Sequence, residues 1–107
     1  MADFKRINVT TAKQLHAAGE ARFVDIRDQR SFALGHIPGA EQLNNSNLAE
    51  FLNSVGAAEH VVVVCYHGNS SQGAAQYLAE QGVDPVSSLD GGFTAWAQQF
   101  PDAVERS

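Results

Sequence analysis

Cysteine is almost absent from this chain: Cys65 is the only one in 107 residues. A single thiol cannot close an intramolecular disulfide, so a reducing, cytoplasmic setting is the simplest expectation. Nor can it anchor a zinc site. Four dispersed histidines and one cysteine match no ligand spacing, and no metal or cofactor is expected. Positive charge is also sparse. The seven basic residues (Lys5, Arg6, Lys13, Arg22, Arg27, Arg30 and Arg106) form no stripe, and the net charge is -5, which excludes a nucleic-acid binder of the usual kind. Long apolar runs are missing as well. The longest, Val61 to Cys65, falls far short of the ~20 residues of a membrane-spanning helix. The start, MADFKRINV, lacks the apolar stretch of a signal peptide. There is no internal repeat and no low-complexity linker. One domain over residues 1–107, with its core over about 5–100, fits this length.

What is present alternates between two kinds of segment. Short β-branched or aromatic runs read as buried strands: RINV (6–9), RFVDI (22–26), VVVVC (61–65), VSSL (86–89) and, more weakly, AEQL (40–43). Between them lie helical patterns. The first covers about Thr11 to Ala18, capped by Thr10 or Thr11 and closed near Gly19. A short helix from about Asp28 to Leu34 stops at Gly35, and Pro38–Gly39 marks a turn. Ser46 is a cap candidate for a helix carrying Leu48, Phe51, Leu52 and Val55. Ser70 opens a helix that Gly82 ends, and a last helix after Gly91–Gly92 carries Phe93, Trp96 and Phe100. The tail from Pro101 reads as frayed. Strands alternating with helices predict an α/β fold, a parallel sheet covered on both faces. The unbroken apolarity of VVVVC marks it as the central strand. Ligands of such sheets bind beyond the carboxyl ends of the strands, where Cys65 falls.

An isolated cysteine is ordinarily a small buried hydrophobe. The surroundings of Cys65 favour a different role. Gly68 lets the following loop fold back without a Cβ clash. Successive amides in such a loop converge into an anion nest, and the helix beginning near Ser70 aims its positive end at the same spot. Both features favour the thiolate, the nucleophilic form of a group whose free pKa is about 8.5. The loop YHGNS carries no charged residue, so the amides must supply most of the electrostatics. His67 is open to three roles: base, donor to a bound anion, or loop surface. Ser70 and Ser71 are hydroxyl donors at a helix start, for which simple capping is the plain reading.

Three stretches then resemble the rhodanese family, the thiosulfate sulfurtransferases. CYHGNS after a strand is similar to the family's active-site loop. Phe32 to Ala40, FALGHIPGA, resembles its upstream signature, and Asp90 to Trp96, DGGFTAW, its downstream one. The ordered set covers most of the chain and resembles the single-domain bacterial members most. The resemblance implies a three-layer α/β/α fold with a five-stranded parallel sheet. It implies a two-step transfer in which Cys65 takes the outer sulfur of thiosulfate, sulfite leaves, and a persulfide on Cys65 passes its sulfur to cyanide or to a dithiol such as thioredoxin. By the same resemblance the amides of Tyr66, His67, Gly68, Asn69 and Ser70 surround the persulfide. Many relatives carry an Arg or Lys in this loop; here there is none.

Other readings of the same residues are distinguishable. A cysteine phosphatase or arsenate reductase of the C-x5-R kind needs a bidentate arginine, and that position is Ser71. A rhodanese-like binding module typically lacks the cysteine, which this chain retains. A persulfide carrier fed by a protein donor would use the same cysteine and loop. His36 reads as a hydrogen-bonded scaffold residue. Asp25 and Arg27, two apart at a strand end, share a face and either support the site from behind or form a plain surface pair.

Overall fold

The computed structural model describes residues 3–56 and 58–107. Five strands form one parallel sheet: β1 (Lys5–Ile7), β2 (Arg22–Asp25), β3 (Glu41–Gln42), β4 (Val61–Val64) and β5 (Val86–Leu89), in the spatial order β1-β5-β4-β2-β3. The helices are α1 (Val9–Ala18), α2 (Gln29–Leu34), α3 (Leu48–Ser54), α4 (Ser70–Glu80) and α5 (Gly92–Gln99). This is the expected three-layer α/β/α arrangement, including the weak strand within AEQL.

β4 lies at the centre, paired with β2 and β5, and all four of its valines are fully buried. Alternation along the strand sends them to opposite faces. Val61 and Val63 pack with Val24, Val86, Phe51, Ala75 and Leu78 under α3 and α4. Val62 and Val64 pack with Phe23, Leu89, Ala12, Ile37 and Trp96 under α1 and α5. Two faces needing apolar cover explain the continuous run of valine. Because α4 and α5 leave the neighbouring strands β4 and β5 toward opposite faces, the chain ends of these strands open into the crevice where such folds bind ligands.

Several boundaries differ from the expected ones. β1 ends at Ile7 because Asn8 caps α1: its side chain accepts the Thr11 N–H at 2.9 Å, displacing Thr10 and Thr11 as caps. Asn47, not Ser46, precedes α3, and Val55 lies just past the helix. Asn47 instead ties down the preceding loop, accepting from Asn44 N–H at 2.8 Å and donating to Gln42 O at 2.7 Å. Phe100 lies one residue beyond α5. The tail is docked rather than frayed. Trp96 Nε1 donates to Ala103 O at 2.7 Å, Glu105 and His36 exchange backbone hydrogen bonds at 2.9 and 2.8 Å, and Ser107 N–H reaches Ala33 O at 3.0 Å. A buried indole N–H needs an acceptor, and the returning chain provides it.

Candidate active site

β4 stops at Val64, one residue earlier than expected, and Cys65 opens the loop that leads into α4. Two glycines make the loop's path possible. Gly68 has φ +92°, and a Cβ on it would lie 2.9 Å from both Leu89 O and Gly91 N. Gly92, at φ +60°, lets α5 approach so closely that a Cβ there would sit 2.5 Å from Cys65 O and Tyr66 O. That approach lets the start of α5 bind the loop. Phe93 N–H donates to Cys65 O at 2.8 Å and Thr94 N–H to Tyr66 O at 3.1 Å. Gly68 O accepts from Gln72 Nε2 at 2.9 Å. With these carbonyls held outward, the loop's amides turn toward the sulfur.

The result is a convergent set of donors. Gly68 N–H lies 3.1 Å and Ser71 N–H 3.3 Å from Cys65 Sγ. Ser71 Oγ stands 3.2 Å from the same sulfur and 2.8 Å from Ser88 Oγ on β5. Cys65 is 4% exposed. Burial is the largest single influence on its thiol and raises the pKa. The Ser71 hydroxyl and the amides of Ser71, Gly68 and His67 together outweigh it and bring the pKa below its ordinary value. A thiol stabilised as its anion by peptide dipoles, at the mouth of a central strand, is equipped for nucleophilic attack.

The predicted loop residues divide in this geometry. Gly68 donates to the sulfur through its amide, and the His67 amide contributes while its imidazole is exposed. Ser70 is the first residue of α4, and Asn69 precedes it without a side-chain capping bond. Tyr66 points away from the thiol: its hydroxyl donates to Asp28 Oδ1 at 2.7 Å and also meets Ser31 Oγ. These bonds, with those from Ser31, hold the exposed Asp28 carboxyl at about 2. Ser71, read from sequence as a capping residue, is instead a direct partner of the sulfur. The signal for it was its place one residue inside the helix start, where a free amide and a hydroxyl project together. Nothing local pointed to Ser88, which reaches the site from 17 positions away.

Asp25 and Arg27 are not a surface pair. Both are buried, and the guanidinium grips the carboxylate through Nε at 2.9 Å and Nη2 at 2.7 Å. Nη2 also donates to Gly35 O at 2.7 Å. The guanidinium stacks 4.4 Å from the Phe93 ring and 5.5 Å from that of Tyr66. A cation therefore lies behind the loop, with its charge already matched by Asp25. His36 has the scaffold role expected of it. Its ring stacks on Phe32 at 3.9 Å, and its nitrogens meet Phe32 O at 2.7 Å and Glu105 Oε1 at 3.2 Å. Among the described residues no helix is long and apolar enough to cross a membrane.

A parallel α/β sheet with a thiolate cradle at the end of its middle strand defines a class, and comparison with known proteins gives it a family. Residues 8–99 match the rhodanese-like domain family. The chain is 47% identical over 103 residues to thiosulfate sulfurtransferase GlpE of Pseudoalteromonas translucida, covering 96% of this chain and 98% of that protein. It is 55% identical over 96 residues to GlpE of Shewanella oneidensis, covering 90% and 95%. Among solved structures, thiosulfate sulfurtransferase from Pseudomonas aeruginosa superposes with a TM-score of 0.84 at 29% identity, over all of this chain and 20% of that one. The chain belongs to the rhodanese family and is an enzyme of its GlpE type.

Proposed function

We propose that the protein is a cytoplasmic thiosulfate sulfurtransferase working through a persulfide on Cys65. The single observation that carries this reading is the convergence of two amides and the Ser71 hydroxyl within 3.3 Å of the Cys65 sulfur. In the first step the Cys65 thiolate attacks the outer sulfur of thiosulfate. A new S–S bond forms, the S–S bond of thiosulfate breaks, and sulfite departs with the electron pair. In the second step a nucleophile, cyanide or a thiolate of a dithiol such as thioredoxin, attacks the outer sulfur of the persulfide. Cys65 leaves as thiolate, and the enzyme is regenerated without metal or cofactor. The near-identity in length and the GlpE names of the relatives support thiosulfate as donor; the cradle supports the charge the sulfur carries at each stage. A C-x5-R phosphatase mechanism has no support here, because the position of its arginine holds Ser71, a neutral hydroxyl already committed to Cys65 and Ser88.

Intact-mass spectrometry after incubation with thiosulfate tests the proposal. The protein gains the mass of one sulfur atom, cyanide removes it, and Cys65→Ala gains nothing. A wild-type protein that takes up no sulfur from thiosulfate but accepts it from a persulfidated protein would replace the donor while keeping the carrier. No uptake from either would end the reading.

A further inference from the structure

We propose that Ser88 is a positioning residue for the reaction at Cys65, setting the direction in which the Ser71 hydroxyl points through a buried chain of three groups: Ser88 Oγ, Ser71 Oγ, Cys65 Sγ. The links measure 2.8 and 3.2 Å, and both serines are completely shielded from solvent. This deepens the reading of Cys65 as nucleophile and rests on it.

Hydrogen counting carries the argument. A serine hydroxyl has one hydrogen to give and two lone pairs to receive with. When Cys65 is a thiol, its S–H can point at Ser71 Oγ, and Ser71 then turns its own hydrogen toward Ser88. When Cys65 is a thiolate it has no hydrogen to give, so Ser71 must donate to the sulfur. Ser71 Oγ then faces Ser88 with lone pairs only, and the contact at 2.8 Å survives only if Ser88 becomes the donor. Ser88 thus polarises Ser71 toward the anion, and in a buried, low-dielectric site each bond in such a chain strengthens the next. The reversal passes no hydrogen between the three groups: each hydroxyl rotates and keeps its own, and the thiol proton leaves to water. The fold fixes the chain's ends. Ser71 stands in the first turn of α4, and Ser88 lies in β5 opposite Val63 of β4. Its neighbour Ser87 faces the other side of the sheet, where it meets His60 Nε2 at 2.9 Å, and so supplies an internal control.

The test is the rate of alkylation of Cys65 by iodoacetamide as a function of pH, which needs no sulfur substrate. Ser88→Ala moves the profile to higher pH and slows alkylation roughly threefold on its rising limb, as expected for one polarising bond in a chain. Ser87→Ala leaves the profile in place. In a Ser71→Ala background, Ser88→Ala has no further effect, because the link through which it acts is gone. A Ser88→Ala profile that matches wild type, or one that adds to that of Ser71→Ala, overturns the inference. Should the alanine variant not fold, the isosteric pair Ser88→Thr and Ser88→Val decides. The threonine profile matches wild type and the valine profile is shifted; identical profiles reject the role. Failure of the wild-type protein to take sulfur from thiosulfate would count against the proposed activity while leaving these alkylation outcomes intact.

Discussion

The amide of Phe93 donates to the carbonyl of Cys65 at 2.8 Å, so the first turn of α5 holds the peptide on which the thiol stands. Thr94 does the same for Tyr66 one residue on. The contact depends on Gly92, which has both a left-handed backbone and no room for a side chain: a Cβ would meet the Cys65 and Tyr66 carbonyls at 2.5 Å. Gly92→Ala is therefore expected to shift the loop as well as strain the helix start. The predicted cost in folding free energy is about 1–3 kcal/mol from the backbone conformation. Thiosulfate:cyanide turnover should fall by roughly a hundredfold, the scale of a 1 Å misplacement of reacting groups. Urea midpoints and steady-state rates measured on the same preparation check both. Unaltered turnover in a folded Gly92→Ala protein would show that the clamp from α5 does not set the cradle.

The lowered pKa of Cys65 has consequences for both reactivity and stability. The folded state favours the thiolate, whereas in the unfolded chain the thiol ionises near its free value of about 8.5. Stability from this source is fully present above the unfolded value and is lost as pH falls through the folded one. Wild type should thus gain stability relative to Cys65→Ala as pH rises through that window and hold a constant difference above it. Alkylation of wild-type Cys65 should follow the same folded value and run ahead of a free thiol at neutral pH. Urea titrations of the two proteins across the window, paired with the alkylation profile, provide the check. A stability difference that is flat with pH would mean that the donors around the sulfur give its anion no net advantage.

The layout of strands and the place of the thiol were legible because both follow from local pattern. VVVVC needs two apolar neighbours, so it had to be central, and Gly68 announced a close backbone approach that the structure contains. What escaped was information carried across space. Ser71 looks like any serine at a helix start, and only its distance from Cys65 distinguishes it. Ser88 and its neighbour Ser87 are indistinguishable in sequence, yet they face opposite sides of the sheet. Asp25 and Arg27 could be seen to share a face, but their burial depends on Gly35, Phe93 and Tyr66 arriving from three other segments. The tail read as frayed because its apolar content is thin. What holds it is backbone hydrogen bonding to residues 33 to 36 and the acceptor it offers Trp96.

The buried pair of Asp25 and Arg27 should behave very differently from a surface pair. Arg27 gives its carboxylate partner three side-chain bonds, Nε to both oxygens and Nη2 to one, and its own backbone N–H, the last at 3.0 Å. Asp25→Asn leaves the guanidinium in place with no counter-charge and little water. The expected loss is about 3–5 kcal/mol, the range for removing one partner of a buried ion pair. Because Arg27 also stacks on Tyr66 and Phe93, both of which border the Cys65 peptide, its disturbance should reach the loop as well. Chemical denaturation measures the first effect and persulfide yield per folded molecule the second. A loss of less than 1 kcal/mol, the range of exposed pairs, would contradict the burial argument.

Tyr66 ties the outer side of the same loop to α2, and this tether can be cut without touching the sulfur. Its hydroxyl is the first cause of the low pKa of Asp28, ahead of the Ser31 side chain and backbone bonds. Asp28 also caps α2 by accepting the Ser31 N–H at 3.1 Å, so one carboxylate serves the helix and the loop together. In wild type the carboxylate form, and the bond from Tyr66, should persist until pH falls to about 2. Tyr66→Phe removes the donor, and Asp28 should then titrate at a higher pH, still below an ordinary aspartate because Ser31 remains. Carbon-detected NMR titration of the Asp28 carboxyl reads this directly. The Tyr66 and Asn69 amides should exchange hydrogen faster in the variant, while the Gly68 and Ser71 amides stay protected by the sulfur and alkylation of Cys65 stays close to wild type. An Asp28 titration that does not move on Tyr66→Phe would mean that the hydroxyl is not bound there in solution. The loop would then be held by α5, by Gln72 and by the stacking of Arg27 on the Tyr66 ring.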